Sequence, residues 1–239
     1  MKTAIILGTG WNKFARQVKV IRQQPYQKIF RLKSTVPGHQ GELVEAKLNN
    51  RKLLIMSGRF HLYEGYTPQV VVKPIKYLKK RGITNLIITN AVGGLNKNYR
   101  VGDFVILSDI ITLLCPSPLV GPKFIDVSQV FDLQLIKVAQ KAAKKLHLRC
   151  HRGIYAYCHG PQFETPADKR ALITWGADVV GMSNVPETIQ ARAEGIKVLG
   201  LSFVTNLAFV KHSHQDVLNQ SAKASRNMAQ LLTEIVKNL

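Results

Sequence analysis

The chain has 239 residues, of which 46% are hydrophobic and 20% charged, a composition typical of a globular protein with a full core. No apolar stretch is long enough to cross a bilayer, and the 3 cysteines form no paired or CxxC framework, so we expect a cytoplasmic protein in a reducing compartment. The 34 Lys and Arg residues against 14 Asp and Glu give a net charge of +20, which attracts anions. Because these charges are scattered along the chain, we predict neither a specific nucleic-acid site nor membrane attachment.

Apolar runs, helix caps and turn residues predict an alternation of strands and helices along the chain. The first elements are a strand over 3–7, two strands within 42–58 around an Asn-Asn turn, a helix from Thr67 and Pro68 to near Gly82, a strand over 83–92 and a strand over 103–111. They are followed by helix 132–147, strand 153–160, helix 165–176, strand 177–183, helix 184–195, strand 196–206 and a last helix that starts near Ser213.

This alternation predicts a mixed, largely parallel sheet flanked by helices on both sides, an α/β fold. With no repeat or linker in the sequence, residues 1–239 are expected to form a single domain. In such sheets, ligands bind at the carboxyl ends of the strands. Polar or small residues occur at these ends: Gly8-Thr9-Gly10, Ser57-Gly58-Arg59, Asn90-Ala91, Met182-Ser183 and Thr205-Asn206. We therefore expect them to meet at one edge of the sheet.

Two of these strand ends are candidate anion sites. The Gly8-Thr9-Gly10 turn offers backbone N–H groups and a hydroxyl, although the same residues also suit a tight turn with no ligand. Arg59 offers a planar fork that matches phosphate oxygens, and His61 adds a second donor. The alternative for Arg59 is an exposed ion pair with Glu64, a common and weak arrangement.

Three further polar side chains are candidate ligand contacts. Glu164 precedes a helix and can accept from a ligand N–H, or it can merely stabilise the helix N-terminus. Asn206 offers a donor and an acceptor, or it caps a turn. His214, in the first turn of the last helix, is expected to be a neutral imidazole or a solvent-facing residue. No zinc or calcium spacing and no GxSxG motif is present, so neither a metal nor covalent catalysis is predicted.

Several segments resemble the trimeric purine nucleoside phosphorylase family in sequence and in order. They are "LGTG" (7–10), "STVPGH" (34–39), "GRFHLYEGY" (58–66), "TNAVGGLN" (89–96), "GPQFET" (160–165), "VGMSNVPE" (180–187) and "VTN" (204–206). The resemblance covers nearly the whole chain. It implies a phosphorylase-type fold, a homotrimer, no cofactor, and reversible cleavage of purine ribonucleosides with inorganic phosphate as co-substrate.

The resemblance also assigns roles by position. It implies a phosphate pocket formed by Thr9, His39, Arg59, His61, the Ala91 backbone and Ser183. It implies nucleoside contacts from Tyr63 and Met182 at the ribose, from Tyr155, Phe163, Glu164 and Asn206 at the base, from His214 at the 5′-hydroxyl, and from Phe124 in the ribose site of a neighbouring subunit. His61, Glu64, Glu164 and Asn206 are the implied catalytic residues, with Glu64 orienting His61 or a water molecule.

The base contacts imply a substrate class. Glu164 can accept from N1–H of a 6-oxopurine and Asn206 can donate to N7 or O6, which favours inosine and guanosine in purine salvage over adenosine. The alternatives are a methylthioadenosine or methylthioinosine phosphorylase and, more remotely, a basic nucleic-acid-binding protein. An aspartate at position 206 would favour the methylthioadenosine version, whereas this chain has Asn. Aromatic residues interleaved with the basic ones would favour the nucleic-acid-binding protein.

Overall fold

The computed structural model describes residues 2–36, 39–122, 124–211 and 213–239, and within them nine strands form one mixed sheet. The strands are β1 (Thr3–Leu7), β2 (Lys19–Pro25), β3 (Glu42–Leu48), β4 (Arg51–Ser57), β5 (Asn85–Gly94), β6 (Phe104–Ile111), β7 (Cys150–Tyr157), β8 (Val179–Gly181) and β9 (Lys197–Leu207). Their order across the sheet is β2-β3-β4-β1-β5-β8-β7-β6-β9. The mixed α/β architecture predicted from the sequence is confirmed.

The sheet closes on itself at one end. Strand β9 pairs antiparallel with β6 and parallel with β5, so β5, β8, β7, β6 and β9 form a closed ring of strands. The neighbouring strands β4 and β1 run parallel to β5, and Leu7 is in register with Ser57. The carboxyl ends of β1, β4, β5 and β9 therefore lie at the same edge.

The helices surround this sheet. They are α1 (Tyr26–Phe30), α2 (Pro68–Val71), α3 (Lys73–Lys80), α4 (Leu133–Lys145), α5 (Pro166–Thr174), α6 (Val185–Ala193) and α7 (His214–Lys237), with 3₁₀ turns at Trp11–Gln17 and Leu62–Glu64. Side-chain caps fix several starts: Asp132 accepts from the first turn of α4, and Thr165 and Ser213 form capping boxes with Asp168 and Asp216. None of the helices in the described part of the chain has the length and apolarity needed to span a membrane.

The structure differs from the sequence prediction at several places, among them strand β7, which covers Cys150–Tyr157 instead of residues 153–160. The helix predicted from Thr67 to Gly82 is interrupted at Val72, because Pro74 has no N–H to donate to the preceding turn. The strand predicted over 83–92 continues to Gly94, because Gly93 and Gly94 pair with both β8 and β9. Strand β2 and helix α1 were not predicted, since the mostly exposed strand β2 lacks an alternating apolar pattern.

The central strands carry the core. Ile5 in β1, Ile87 and Ile88 in β5 and Leu199 in β9 are all 0% exposed. These strands are apolar on both faces, as expected for parallel strands covered by helices. The buried strands give a rigid base to the loops that follow their carboxyl ends, and polar side chains on those loops form the site described next.

Candidate active site

A cleft opens at the carboxyl edge of the sheet, the edge at which α/β sheets bind ligands. It is bordered by the ends of five strands, as the sequence predicts. The lining residues are Gly8, Thr9, His39, Arg59, His61, Tyr63, Asn90, Ala91, Val92, Gly93, Phe163, Glu164, Val180, Gly181, Met182, Ser183, Thr205, Asn206, His214 and Val217.

The turn after β1 approaches β5 closely. Gly8 N–H donates to Thr89 Oγ1 at 3.0 Å, and the Thr89 hydroxyl donates to the Ile6 carbonyl at 2.9 Å. A Cβ on Gly8 would lie 2.5 Å from the Thr89 carbonyl oxygen, so a side chain there would push the turn away from β5. Glycine at position 8 thus allows Thr9 to lie at the floor of the cleft.

Arg59 supplies a buried cation to the cleft. The residue is 2% exposed, and its Nη1 donates to Ser183 Oγ and Asn184 Oδ1, both at 2.9 Å. Its Nη2 donates to the Thr89 carbonyl at 2.6 Å, and its Nε lies 3.5 Å from Glu187 Oε1. The alternative reading of Arg59 as an exposed partner of Glu64 is therefore wrong.

Ser183 is held from behind by Tyr155. The Tyr155 hydroxyl donates to the Ser183 carbonyl at 2.9 Å and accepts from Ser183 N–H at 3.1 Å. Tyr155 is 0% exposed and reaches Ser183 past Gly181, where a Cβ would lie 2.7 Å from the phenol oxygen. The predicted contact of Tyr155 with a base is corrected, because the ring lies below the cleft wall and orients Ser183.

Glu64 binds His61 and the preceding loop. Its Oε1 accepts from His61 N–H at 2.8 Å and lies 3.0 Å from His61 Nδ1, while its Oε2 accepts from the Thr35 N–H and hydroxyl. Burial alone would raise the pKa of Glu64, but the hydrogen bonds from His61 and Thr35 outweigh it and lower the pKa below its ordinary value. Because the ionised Glu64 carboxylate can only accept, a neutral His61 must carry its proton on Nδ1. His61 Nε2 is then available to accept a hydrogen bond from a ligand.

Two of the three histidines that line the cleft, His39 and His61, are stacked on each other and neutral. The His39 and His61 rings lie 5.3 Å apart, and Tyr63 stacks on the other face of His61 at 4.6 Å. Burial, the neighbouring His61 and Arg59 lower the pKa of His39 from 6.5 to about 3. Burial also lowers the pKa of His61. Arg59 N–H donates to His39 Nδ1 at 3.4 Å, which places the His39 proton on Nε2 as a donor.

The low pKa of His39 predicts an acid sensitivity of folding. Because the unfolded chain binds a proton near pH 6.5 and the folded chain only near pH 3, stability contributed by neutral His39 is lost as the pH falls through this window. Both proteins should lose stability when the pH falls from 7.5 to 5. The loss in the free energy of unfolding should be about 2 kcal/mol smaller in His39→Gln than in wild type, because His39→Gln has no histidine to protonate at this position. Urea unfolding at the two pH values measures this difference. Exposed His159→Gln is the control, and an equal loss in His39→Gln and wild type contradicts the prediction.

An acid and an amide also line the cleft. Glu164 follows Phe163, which is 37% exposed, and Asn206 lies near the end of β9. Asn206 Oδ1 accepts from the Thr205 hydroxyl at 2.9 Å, so the amide N–H₂ group of Asn206 points away from that hydroxyl. A Cβ on Gly93 would lie 3.1 Å from Asn206 Nδ2, so the glycine of β5 leaves space for this amide.

Most residues predicted for the site line this one cleft. Among the described residues, Glu64, Tyr155 and Phe124 do not. Glu64 lies behind His61, Tyr155 lies behind Ser183, and Phe124 lies on a loop, where it is 96% exposed. Its predicted contact with a neighbouring subunit remains a prediction. The described residues contain no group of three or more His, Cys, Asp or Glu side chains that could hold a metal ion.

Sequence reasoning missed the residues that hold Arg59. The sequence predicts Asn184 and Glu187 at the start of a helix and Thr89 within a strand, and it assigns none of them a role in the site. The "SNVPE" segment gives a signal in retrospect, since an amide and a carboxylate next to a candidate anion site suggest partners for its cation.

Comparison with known proteins identifies the family. A family model described as the phosphorylase superfamily matches residues 2–237. The chain is 38% identical to purine nucleoside phosphorylase 1 of Bacillus subtilis, with 98% of this chain and 91% of that protein aligned. It is 35% identical to purine nucleoside phosphorylase of Bos taurus, with 100% of this chain and 89% of that protein aligned.

A crystal structure of Schistosoma mansoni purine nucleoside phosphorylase in complex with inosine superposes with a TM-score of 0.92 at 37% identity, covering 99% of this chain and 90% of that one. The complex of Schistosoma mansoni purine nucleoside phosphorylase with adenosine gives a TM-score of 0.91 at 37% identity, with the same coverage. The resemblance noted in the sequence is thereby confirmed, and the chain belongs to the phosphorylase superfamily and, within it, to the purine nucleoside phosphorylases.

Proposed function

We propose that this enzyme cleaves 6-oxopurine ribonucleosides, inosine and guanosine, with inorganic phosphate to give the free base and ribose 1-phosphate. Membership of the family carries the reaction class. The observation that supports the substrate class is that one cleft is lined by a buried cation and hydroxyls, which we assign to its cation end, and by a carboxylate and an amide, which we assign to its acid–amide end.

The cation end suits phosphate. Arg59 and Ser183 lie 2.9 Å apart and can both donate to one anion. His39 offers an Nε2–H donor, and Thr9 adds a hydroxyl from the turn after β1. His61, whose Nδ1–H faces Glu64, can accept a hydrogen bond from a phosphate hydroxyl at Nε2.

The position of the anion explains the chemistry. As the C1′–N9 bond breaks, its electron pair goes to the purine and positive charge develops on the sugar. A phosphate held below C1′ stabilises that charge and supplies the oxygen that forms the new bond to C1′. Tyr63 and Met182 line the space between the two ends and are the proposed ribose contacts.

The acid–amide end suits a 6-oxopurine. Glu164 accepts from N1–H, and the Asn206 amide donates to N7 or O6 as negative charge develops on the leaving base. Adenine presents an unprotonated N1 to the carboxylate and a donor at position 6, a buried mismatch that costs several kcal/mol. His214, which lines the cleft at the start of α7, is the proposed contact of the 5′-hydroxyl.

A homotrimer is proposed as the working assembly. Phe124 is 96% exposed in the single chain, and in a trimer its ring would close the ribose site of the next subunit. An aromatic ring so exposed gains free energy when it is buried at an interface. We further propose a role in purine salvage in the cytoplasm.

A substrate panel tests this proposal. Base release is measured for inosine, guanosine, xanthosine, adenosine and methylthioadenosine, each with and without phosphate. The related Schistosoma mansoni enzyme was crystallised with adenosine as well as inosine, so kcat/KM must be compared, not binding alone. We expect kcat/KM for inosine and guanosine to exceed that for adenosine by about 10²-fold or more. Equal values for inosine and adenosine would refute the 6-oxopurine assignment, and fastest turnover of methylthioadenosine would favour the alternative phosphorylase.

A further inference from the structure

Glu187 is a buried carboxylate next to the phosphate end of the cleft. It lies in the first turn of α6 and is 3% exposed, and its Oε1 is 3.5 Å from Arg59 Nε. Among the described residues this oxygen has no hydrogen-bond partner, so its interaction with Arg59 is an ion pair. A carboxylate buried in this way costs free energy unless a cation compensates it. Glu187 and Arg59 are therefore coupled.

The chain between the cleft and α6 is strained. Asn184 is completely buried, with φ 72° and ψ −49°, and Val185 N–H donates to the Ser183 carbonyl at 2.8 Å. This is a γ-turn with positive φ, a conformation that is rare and costs free energy in a residue other than glycine. The turn directs Asn184 Oδ1 onto Arg59 Nη1 and starts α6 so that Glu187 reaches Arg59 Nε.

Together these groups fix the plane of the guanidinium. A guanidinium carries five N–H donors in a planar fork. Asn184 and the Thr89 carbonyl each take one, and Ser183 takes one at the cleft surface, while the Glu187 carboxylate forms an ion pair with Nε at 3.5 Å without a hydrogen bond. Three partners on the protein side thus hold the plane, and the edge bonded to Ser183 is turned to the cleft.

We propose that Glu187 is a positioning residue for the phosphate end of the cleft. It holds the Arg59 guanidinium, with Asn184, in the orientation that receives the anion before the anion arrives. A donor oriented in advance needs no reorganisation on binding, which makes it more effective than a mobile one. This inference rests on the proposed function, because it assigns phosphate to the Arg59–Ser183 edge.

The test compares Glu187→Ala and Glu187→Gln with Glu194→Gln. Glu194 follows α6 and its carboxylate accepts from Gln190, so Glu194→Gln makes the same chemical change outside the cleft. Three quantities are measured for each protein: the Kd of inorganic phosphate by calorimetry, the KM of phosphate and the KM of inosine. Glu187→Ala is expected to raise the Kd and KM of phosphate about tenfold or more while the KM of inosine stays within about twofold. Glu187→Gln keeps an oxygen opposite Nε and should fall between wild type and Glu187→Ala.

The outcomes separate this inference from the proposed function. Phosphate binding that is unchanged in both Glu187 variants, or inosine KM values that rise as much as the phosphate values, overturns the positioning role. If the wild-type protein binds phosphate but does not cleave inosine, the proposed function is overturned. The role of Glu187 is then tested by comparing the Kd of phosphate between wild type and the Glu187 variants. Should Glu187→Ala fail to fold, the near-isosteric Glu187→Gln decides alone, with a threefold or larger increase in the Kd of phosphate expected.

Discussion

Replacement of Arg59 by alanine is expected to lower kcat/KM for phosphate by about 10³-fold, equivalent to about 4 kcal/mol of lost transition-state stabilisation. In the proposed reaction Arg59 is the cation that binds the anion, and the anion stabilises positive charge on the sugar. Ser183, Asn184 and Thr89 hold the Arg59 guanidinium by hydrogen bonds. Steady-state kinetics with inosine and varied phosphate measure the effect.

Two variants control this prediction. Arg81→Ala removes a guanidinium that binds Glu45 and Tyr77 on the surface, and it should keep wild-type kinetics. Arg59→Lys keeps the charge but loses the planar fork, so it should recover only part of the activity. A folded Arg59→Ala protein with a wild-type kcat/KM for phosphate would remove Arg59 from the phosphate site.

Replacement of Asn206 by aspartate is expected to reverse much of the preference for 6-oxopurines. An ionised aspartate only accepts, so it loses the donor to N7 or O6 and gains an acceptor for the 6-amino group of adenine. The ratio of kcat/KM for inosine to that for adenosine should fall by about 10²-fold or more, mostly through a slower reaction of inosine.

The matched control is Asn219→Asp, the same change on an exposed part of α7, where the side chain accepts from Gln215. It should leave the ratio unchanged. If Asn206→Asp also leaves the ratio unchanged, Asn206 does not contact the base, and the substrate class would have to depend on Glu164 and the shape of the cleft.

The sequence predicts the parts of the fold that have local signals. Helix starts at Asp132, Thr165 and Ser213 are visible because a capping side chain and a following apolar pattern occur together. The strands of the core are visible as apolar runs. Strand β2 was missed because it pairs on one side only, with β3, and its residues are mostly exposed, so its sequence has no core-facing pattern.

The site was predicted in composition but not in its internal contacts. Polar residues at strand ends and the resemblance to a family indicate which side chains reach one cleft. They do not indicate which groups hold one another, because Arg59 and Glu187 or Tyr155 and Ser183 are far apart in sequence and meet only through the pairing of strands. For this reason the sequence suggests an ion pair of Arg59 with Glu64 as an alternative and a contact of Tyr155 with the base, and the structure shows neither.

A crystal structure with phosphate and hypoxanthine bound together tests the central claim most directly. We expect phosphate in contact with Arg59 and Ser183, and hypoxanthine between Glu164 and Asn206 with its N9 facing the anion. Either ligand found outside this cleft, or a base whose N9 points away from the phosphate, would contradict the account.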